Sequence, residues 1–309
     1  MTEGTSGGQA GFVSGGRIID LAEEPARLSV RNLCLVIKSG ERPETTMPLA
    51  EVAALVVSNP CVTLTHAVLA GLAQAGGSVV VCDGRHMPVG MLLPLEAHFT
   101  QAERFALQAQ APLPMRKRLW QTVVRAKIHA QGRLLTELRG HDAGLTHLIP
   151  RVRSGDPDSV EAEASRRYWP LLFDNPAFRR DRYAPDQNRL LNYGYAVLRA
   201  IIARAVCAAG LHPSLGLHHH NRYDAFCLAD DLMEPFRPIV DRAVVRYCER
   251  RLDSPGLDKD AKAALVGALM RRFKLEGESR TLFDIAARTA SSLAAVYARE
   301  RKALILPEP

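Results

Sequence analysis

None of the six cysteines, at positions 34, 61, 82, 207, 227 and 248, has a partner at CxxC spacing. That absence removes a zinc finger and a disulfide scaffold, and leaves scattered thiols in a reducing compartment. No HExxH pattern occurs, so the helix-borne ligand pair of a zinc hydrolase is missing too. The first residues, MTEGTSGGQAGFVSGG, contain no basic stretch followed by an apolar run and are not read as a signal peptide. Their Gly, Ser and Thr content reads instead as a flexible arm over 1–16. The longest apolar segment, 190–209, is broken by Asn192, Arg199 and Arg204. Those side chains are costly in lipid, so a buried helix is expected and no membrane span. There is no internal repeat and no heptad of coiled-coil length. The expectation is a cytoplasmic protein.

What is present fits a soluble protein of one large or two moderate domains: 309 residues, 47% hydrophobic and 24% charged. Forty Lys and Arg against 33 Asp and Glu give a net charge of +7, which favours anionic partners.

Residues 17–98 read as a β-rich domain. RIIDLA, ARLSV, CLVIKSG, AALVVS, GSVVVCD and PVGMLLPL are short runs rich in β-branched residues, separated by turn formers or charges. Between them, Leu64, Val68 and Leu72 at four-residue steps predict one helix, stopped at Gly76-Gly77. Beyond residue 98 the strand signals vanish, and 99–309 reads as a helical domain. MRKRLWQTVVRAKIHAQGRLLTELRG predicts a long amphipathic helix made basic by Arg116, Lys117, Arg118, Arg125, Lys127 and Arg133. Such cations commonly do no more than solvate a helix. Further helices are expected over 160–173, with Asp158 or Ser159 as N-cap, then over 190–209, 241–251, 258–274 and 280–302, before a strand-like ALILP tail. The fold class is therefore α+β: a small N-terminal β-rich domain followed by a larger all-α C-terminal domain.

The chemistry gathers in LGLHHHNRYDAFCLADDLMEPFRPIV, residues 215–240. His218, His219 and His220 stand shortly before Asp230, Asp231 and Glu234, and imidazole with hard acidic oxygens suits Mg²⁺ or Mn²⁺. Three consecutive histidines diverge in an extended segment, so at most one or two can ligate. Pro235 is tolerated in a first helical turn, which puts the helix start at 231 or 232. Asp230 to Glu234 then have a plainer explanation, as acids at the positive end of a helix dipole. A further ligand has to come from elsewhere, and Glu161 and Glu163 lie on a helix of suitable composition. Their spacing does not choose between them.

At these residues the sequence resembles a known family, the CRISPR-associated integrase that inserts new spacers into a CRISPR array (the first Cas protein, Cas-one). The family's helical Glu-Gly-x-Ala-Ala-x-x-Tyr pattern is similar to Glu161-Ala162-Glu163-Ala164-Ser165-Arg166-Arg167-Tyr168, with Ala162 and Ser165 as departures. Its Gly-x-x-His turn matches Gly216-Leu217-His218-His219. Its Asp-Leu-Met-Glu-x-Phe-Arg-Pro segment matches Asp231 to Pro238, and LLNYGYAVL at 190–198 resembles its core helix. The wording is most like the type II branch.

The resemblance implies catalytic metal ligands at Glu161, His219 and Glu234, with Asp231 as a secondary acid, and Mg²⁺ or Mn²⁺ as the ion. It implies endonuclease and integrase chemistry on double-stranded DNA, both fragment and CRISPR repeat, by 3′-hydroxyl transesterification. It implies a homodimer paired through the β-rich domains, a small ferredoxin-like partner (Cas-two), and the RNA-guided effector nuclease as a further partner. Arg166, Arg167, Arg242, Arg246 and Arg250 are the candidate DNA contacts, the last three at four-residue steps that align on a helix. Two other readings use the same residues: a metal-dependent nuclease of branched repair intermediates, and a non-catalytic DNA-binding scaffold whose acids are only helix caps.

Overall fold

The structure is a computed structural model that describes residues 16–83, 88–94, 98–250 and 256–307. The arm expected over 1–16 lies, but for Gly16, outside the described residues. The first four β-branched runs form β1 (Arg17–Leu21), β2 (Arg27–Arg31), β3 (Cys34–Lys38) and β5 (Val52–Val57). Two short strands that the patterning does not announce lie among them, β4 (Thr45–Pro48) and β6 (Thr63–Leu64), the latter holding Leu64 ahead of the helix. Helix α1 (His66–Gln74) then precedes β7 (Ser78–Cys82) and β8 (Pro88–Leu92). One sheet has the order β1-β5-β7-β8, with the first three strands parallel and β8 antiparallel at the edge. The other has the order β4-β3-β2-β6. Asn32 and Leu33, both at positive φ, form the two-residue turn of its β2–β3 hairpin.

The apolar run of β5 has no polar face because both of its faces are covered. Val52 and Leu55 pack with Leu28, Leu35, Val68 and Leu72 in a small core between strands and α1. Ala53 and Val56, with Val80 of β7, belong to the core of the helical part. The strand-rich region is thereby seated on the helices through a shared apolar seam.

The helical part follows: α2 (Gln101–Ala109), α3 (Leu113–Arg139), α4 (Val160–Leu172), α5 (Gln187–Ala208), α6 (Cys227–Met233), α7 (Arg237–Cys248), α8 (Lys259–Leu269) and α9 (Leu282–Tyr297). At its centre, α5 is long and apolar enough to cross a membrane, yet it is mostly buried inside the protein. Gly194 lets α7 approach it, since a Cβ there would sit 2.4 Å from Cγ1 of Val240.

Four local expectations give way to the structure. The helix expected over 258–274 ends at Leu269. An antiparallel hairpin follows, β9 (Arg272–Leu275) and β10 (Glu278–Thr281), because Glu276 and Gly277 at positive φ make a tight turn that no helix contains. The ALILP segment forms no strand over the described residues 303–307. Pro235 does not open a helix: α6 runs from Cys227 to Met233, and a single 3-10 turn over Glu234–Phe236 carries the chain into α7. That turn places Pro235 near the α7 start, where no helical amide is lost. Ser159 precedes α4 in a left-handed conformation without a side-chain cap. Asp156 caps instead, its two carboxylate oxygens accepting from the amides of Val160 and Glu161 at 3.0 Å each.

Candidate active site

Helix α3 forms the floor of the site. Trp120, Val123, Val124, Ile128, Leu134 and Leu135 make its buried stripe, and Lys127 sits within that stripe rather than on the solvated face. Burial by itself depresses an ammonium pKa. Here Glu234 and Glu161 outweigh it, and the Lys127 pKa is raised. Nζ donates to Oε1 of Glu161 at 2.5 Å and is 2.6 Å from Oε2 of Glu234. One buried ammonium therefore joins two carboxylates that lie far apart in sequence.

Glu161 reaches this point because α4 buries Val160, Ala164, Tyr168 and Leu172 at four-residue steps, turning the first-turn acid toward α3. Glu163 faces away, paired with Arg151 at 2.9 Å and Arg167 at 2.6 Å. Glu161 thus shares the Lys127 ammonium with Glu234, and Glu163 does not. Glu234 is almost fully buried, and its other oxygen accepts from Nε of Arg237 at 2.9 Å. Burial would raise its pKa, but Arg237 and Lys127 pull it down to about 2.

The acidic run around it divides three ways. Asp230 forms a bidentate pair with Arg199, yet burial still leaves its pKa raised. Asp231, wholly buried, is spent on the histidine loop. Its Oδ2 accepts from the amides of Leu217 (2.6 Å) and His218 (2.9 Å), and its Oδ1 lies 2.5 Å from Nδ1 of His219. Gly216 makes this turn possible, since a Cβ there would lie 2.6 Å from the His219 carbonyl and 2.9 Å from Asp231 Oδ2.

The three histidines part as their backbone demands. His218 stacks on Trp120 with ring centroids 4.5 Å apart, and His220 lies exposed near Arg116. His219 presents its ring edge-on to Trp120 at 5.6 Å and binds Asp231. A carboxylate only accepts, so Nδ1 carries the proton, and Nε2 holds the lone pair in the neutral ring. The hydrogen bond to Asp231 raises the His219 pKa against burial, with Glu234 adding to the effect.

His219 and the Glu161–Glu234 pair thus lie along one face of α3, at Trp120 and Lys127. Among the described residues, no three His, Cys, Asp or Glu side chains converge closely enough to hold an ion as they stand. The donor set nevertheless suits a hard divalent ion: two carboxylates, and one imidazole whose far nitrogen is fixed by a carboxylate. The position between the acids is taken by the Lys127 ammonium.

A cleft of about 940 Å³ opens beside Lys127 and Glu234 and is also lined by Arg180, Arg199, Arg237 and Tyr195. Of the arginines proposed to meet DNA, Arg166 is exposed on α4 and Arg167 holds Glu163. Arg242 and Arg246 do share a face of α7, but both are tied to Glu137 of α3. Arg250 lies beyond the α7 end, exposed. Three residues of the site carry no signal that spacing alone reveals. Lys127 is marked only as a cation inside an apolar stripe. Arg237 falls within the Asp231 to Pro238 motif match without being singled out as a site residue, and Asp241 opens a segment that reads as ordinary helix.

Comparisons with known proteins bear on the fold and the family. A casposase bound to integration product shares the fold with a TM-score of 0.77 at 20% identity, over 95% of this chain and 94% of that one. A Cas6-RT-Cas1–Cas2 complex matches with a TM-score of 0.75 at 20% identity, over 98% of this chain and 37% of that one. These likenesses define the structural class. Sequence defines the family: the model described as CRISPR associated protein Cas1 matches residues 20–266. The CRISPR-associated endonuclease Cas1 of Neisseria meningitidis serogroup C (strain 8013) is 34% identical over 93% of this chain and 95% of its own length. The chain belongs to the Cas1 family.

Proposed function

We propose that this protein is a divalent-metal-dependent DNA endonuclease and integrase that inserts new spacers into a CRISPR array. The observation that carries the reading is the convergence of Glu161 and Glu234 on one buried point of α3, with His219 fixed by Asp231 along the same helix face. Family membership and the endonuclease name of the Neisseria relative support the same chemistry. In the reaction a fragment's 3′-hydroxyl oxygen forms a bond to a phosphorus of the repeat. The 3′-oxygen on the other side of that phosphorus leaves, and the hydroxyl proton is released. With water as nucleophile the same displacement is hydrolysis.

Glu161, Glu234 and Nε2 of His219 are the residues that would hold the ion. Mg²⁺ or Mn²⁺ there supplies positive charge to the phosphate and leaving oxygens and makes the attacking hydroxyl more acidic. Asp231 positions the His219 ring and its loop. Arg237 orients Glu234, and Arg180 of the cleft, held by the neutral side chains of Asn188 and Asn192, supplies backbone-neutralising charge for a strand without reading its sequence. We further propose a homodimer paired through the strand-rich region, and a small ferredoxin-like partner, Cas2, for which the likeness to a Cas6-RT-Cas1–Cas2 complex is support.

The test is incubation with a 3′-hydroxyl DNA fragment, a plasmid bearing the repeat, and Mn²⁺. Joined half-site products are expected. Glu234→Ala and Glu161→Ala should lower their yield by about a hundredfold or more, the scale on which lost transition-state charge stabilisation shows. Cleavage of branched DNA without any joined product would favour a repair nuclease. Unchanged joining in both variants would defeat the site assignment.

A further inference from the structure

The charges at the base of the site cancel. Glu161 and Glu234 bring two negative charges, and Lys127 and Arg237 bring two positive ones within 2.5–2.9 Å of them. The group is secluded at Lys127 and Glu234, whose side chains are 10% and 7% exposed, and opens to solvent at Glu161, 32% exposed. In such surroundings a charge persists only with a partner. A divalent ion placed on the same two carboxylates would meet an ammonium already bridging them, and two cations that close repel strongly in a poorly solvated site.

We infer that Lys127 is a built-in counter-ion that closes the carboxylate pair, and that a divalent metal enters fully only when the ammonium turns to a phosphate brought by DNA. The inference rests on Glu161 and Glu234 being metal ligands, as proposed above. Its geometry is on the side chain itself. Lys127 and Glu234 both line the cleft, where Arg199 and Arg237 are already paired with Asp230 and Glu234 while Arg180 is held by the neutral side chains of Asn188 and Asn192. The ammonium therefore stands at the wall where a DNA phosphate drawn by Arg180 would arrive. A four-carbon stem with a compact charged head can exchange one anion for another by rotation. The exchange balances: the carboxylates lose one positive partner and gain a doubly charged one, and the phosphate gains the ammonium. Metal and DNA then bind with mutual assistance, each raising the affinity of the other by the same factor. A permanent structural staple, which the same geometry would also suit, predicts no such coupling through Lys127.

The experiment measures Mn²⁺ affinity from the free-ion electron paramagnetic resonance signal of the full-length protein, alone and with a duplex whose 3′ ends lack hydroxyls. For the natural sequence, affinity should rise about tenfold or more with the duplex, within the usual range of coupling between two sites. Lys127→Met and Lys127→Gln should bind Mn²⁺ about tenfold tighter without DNA and gain less from adding it, whereas Lys127→Arg should behave like the natural protein. Two neutral variants are used so that a folding failure of one does not decide the matter. Indifference of the natural protein to the duplex would overturn the inference, as would neutral variants that bind Mn²⁺ no tighter. Glu234→Gln separates the two levels. If it leaves Mn²⁺ binding unchanged, the metal-site reading itself fails. If it abolishes binding while the Lys127 variants stay as the natural protein, only the counter-ion inference falls.

Discussion

Asp231 shows how one side chain acquires a role that composition cannot assign. In sequence it is one acid of a cluster and an extra candidate ligand. In the structure its oxygens are committed to the Leu217 and His218 amides and the His219 ring, and it is wholly buried. Replacing it with asparagine keeps the size but turns one accepting oxygen into a donor that faces other donors. A buried mismatch of this kind costs about 1–3 kcal/mol. Asp231→Asn should therefore lower the thermal midpoint and bring the His219 pKa, raised chiefly by this hydrogen bond, back toward its ordinary value. The ring's titration by nuclear magnetic resonance checks it. A His219 titration unmoved by the substitution would show that the loop is held by something else.

At the scale of elements, α4, α5 and α7 are clamped by a single buried acid. Asp241 of α7 accepts from the hydroxyl of Tyr168 on α4 at 2.7 Å and from the hydroxyl of Tyr195 on α5. Arg237, one turn before it, lies over the Tyr195 ring at 4.6 Å and holds Glu234, so the clamp connects to the site. Burial raises the Asp241 pKa from 3.8 to about 6, although both tyrosines and the nearby arginines oppose the shift. The folded state thus holds a proton that the unfolded state has released between those pH values, and this group's contribution to stability declines as pH rises through them. At roughly 1.4 kcal/mol per unit, the decline is about 3 kcal/mol at most. Asp241→Asn cannot titrate. Its stability deficit against the natural protein, from urea unfolding, should shrink between pH 4 and pH 6 and stay constant above. A deficit independent of pH would contradict the raised value. This clamp also marks the boundary of what is legible in the sequence. Strands announce themselves by β-branched runs and the helices by period, because those patterns are local. The Asp231 to Pro238 segment and Glu161 are found through motif likeness. The pairing of Glu163 with Arg151 and Arg167, the cap at Asp156 and the β9–β10 hairpin depend on orientation and turn conformation, which a linear pattern does not contain.

Across the whole molecule, an excess of seven positive charges favours DNA, but not every cation is available to it. The arginines divide by what already holds them. Arg242 and Arg246 are both engaged by Glu137, so they tie α7 to α3 before any DNA arrives. Arg166 projects from the exposed side of α4, the helix that also brings Glu161 to the site. Removing a cation that neutralises one phosphate reduces the slope of log affinity against log salt by about 0.9. Arg166→Gln should therefore reduce that slope by about one unit, while weakening binding to unrelated sequences equally. Arg242→Gln and Arg246→Gln break half-exposed pairs worth about 1 kcal/mol each, and should shift stability slightly while leaving the slope close to that of the natural protein. Fluorescence anisotropy with a short duplex at several salt concentrations measures all three. If the α7 arginines changed the slope and Arg166 did not, the DNA path would run over α7 and not over α4. The cations nearest Glu137 would then be exchanging a protein carboxylate for phosphate on binding.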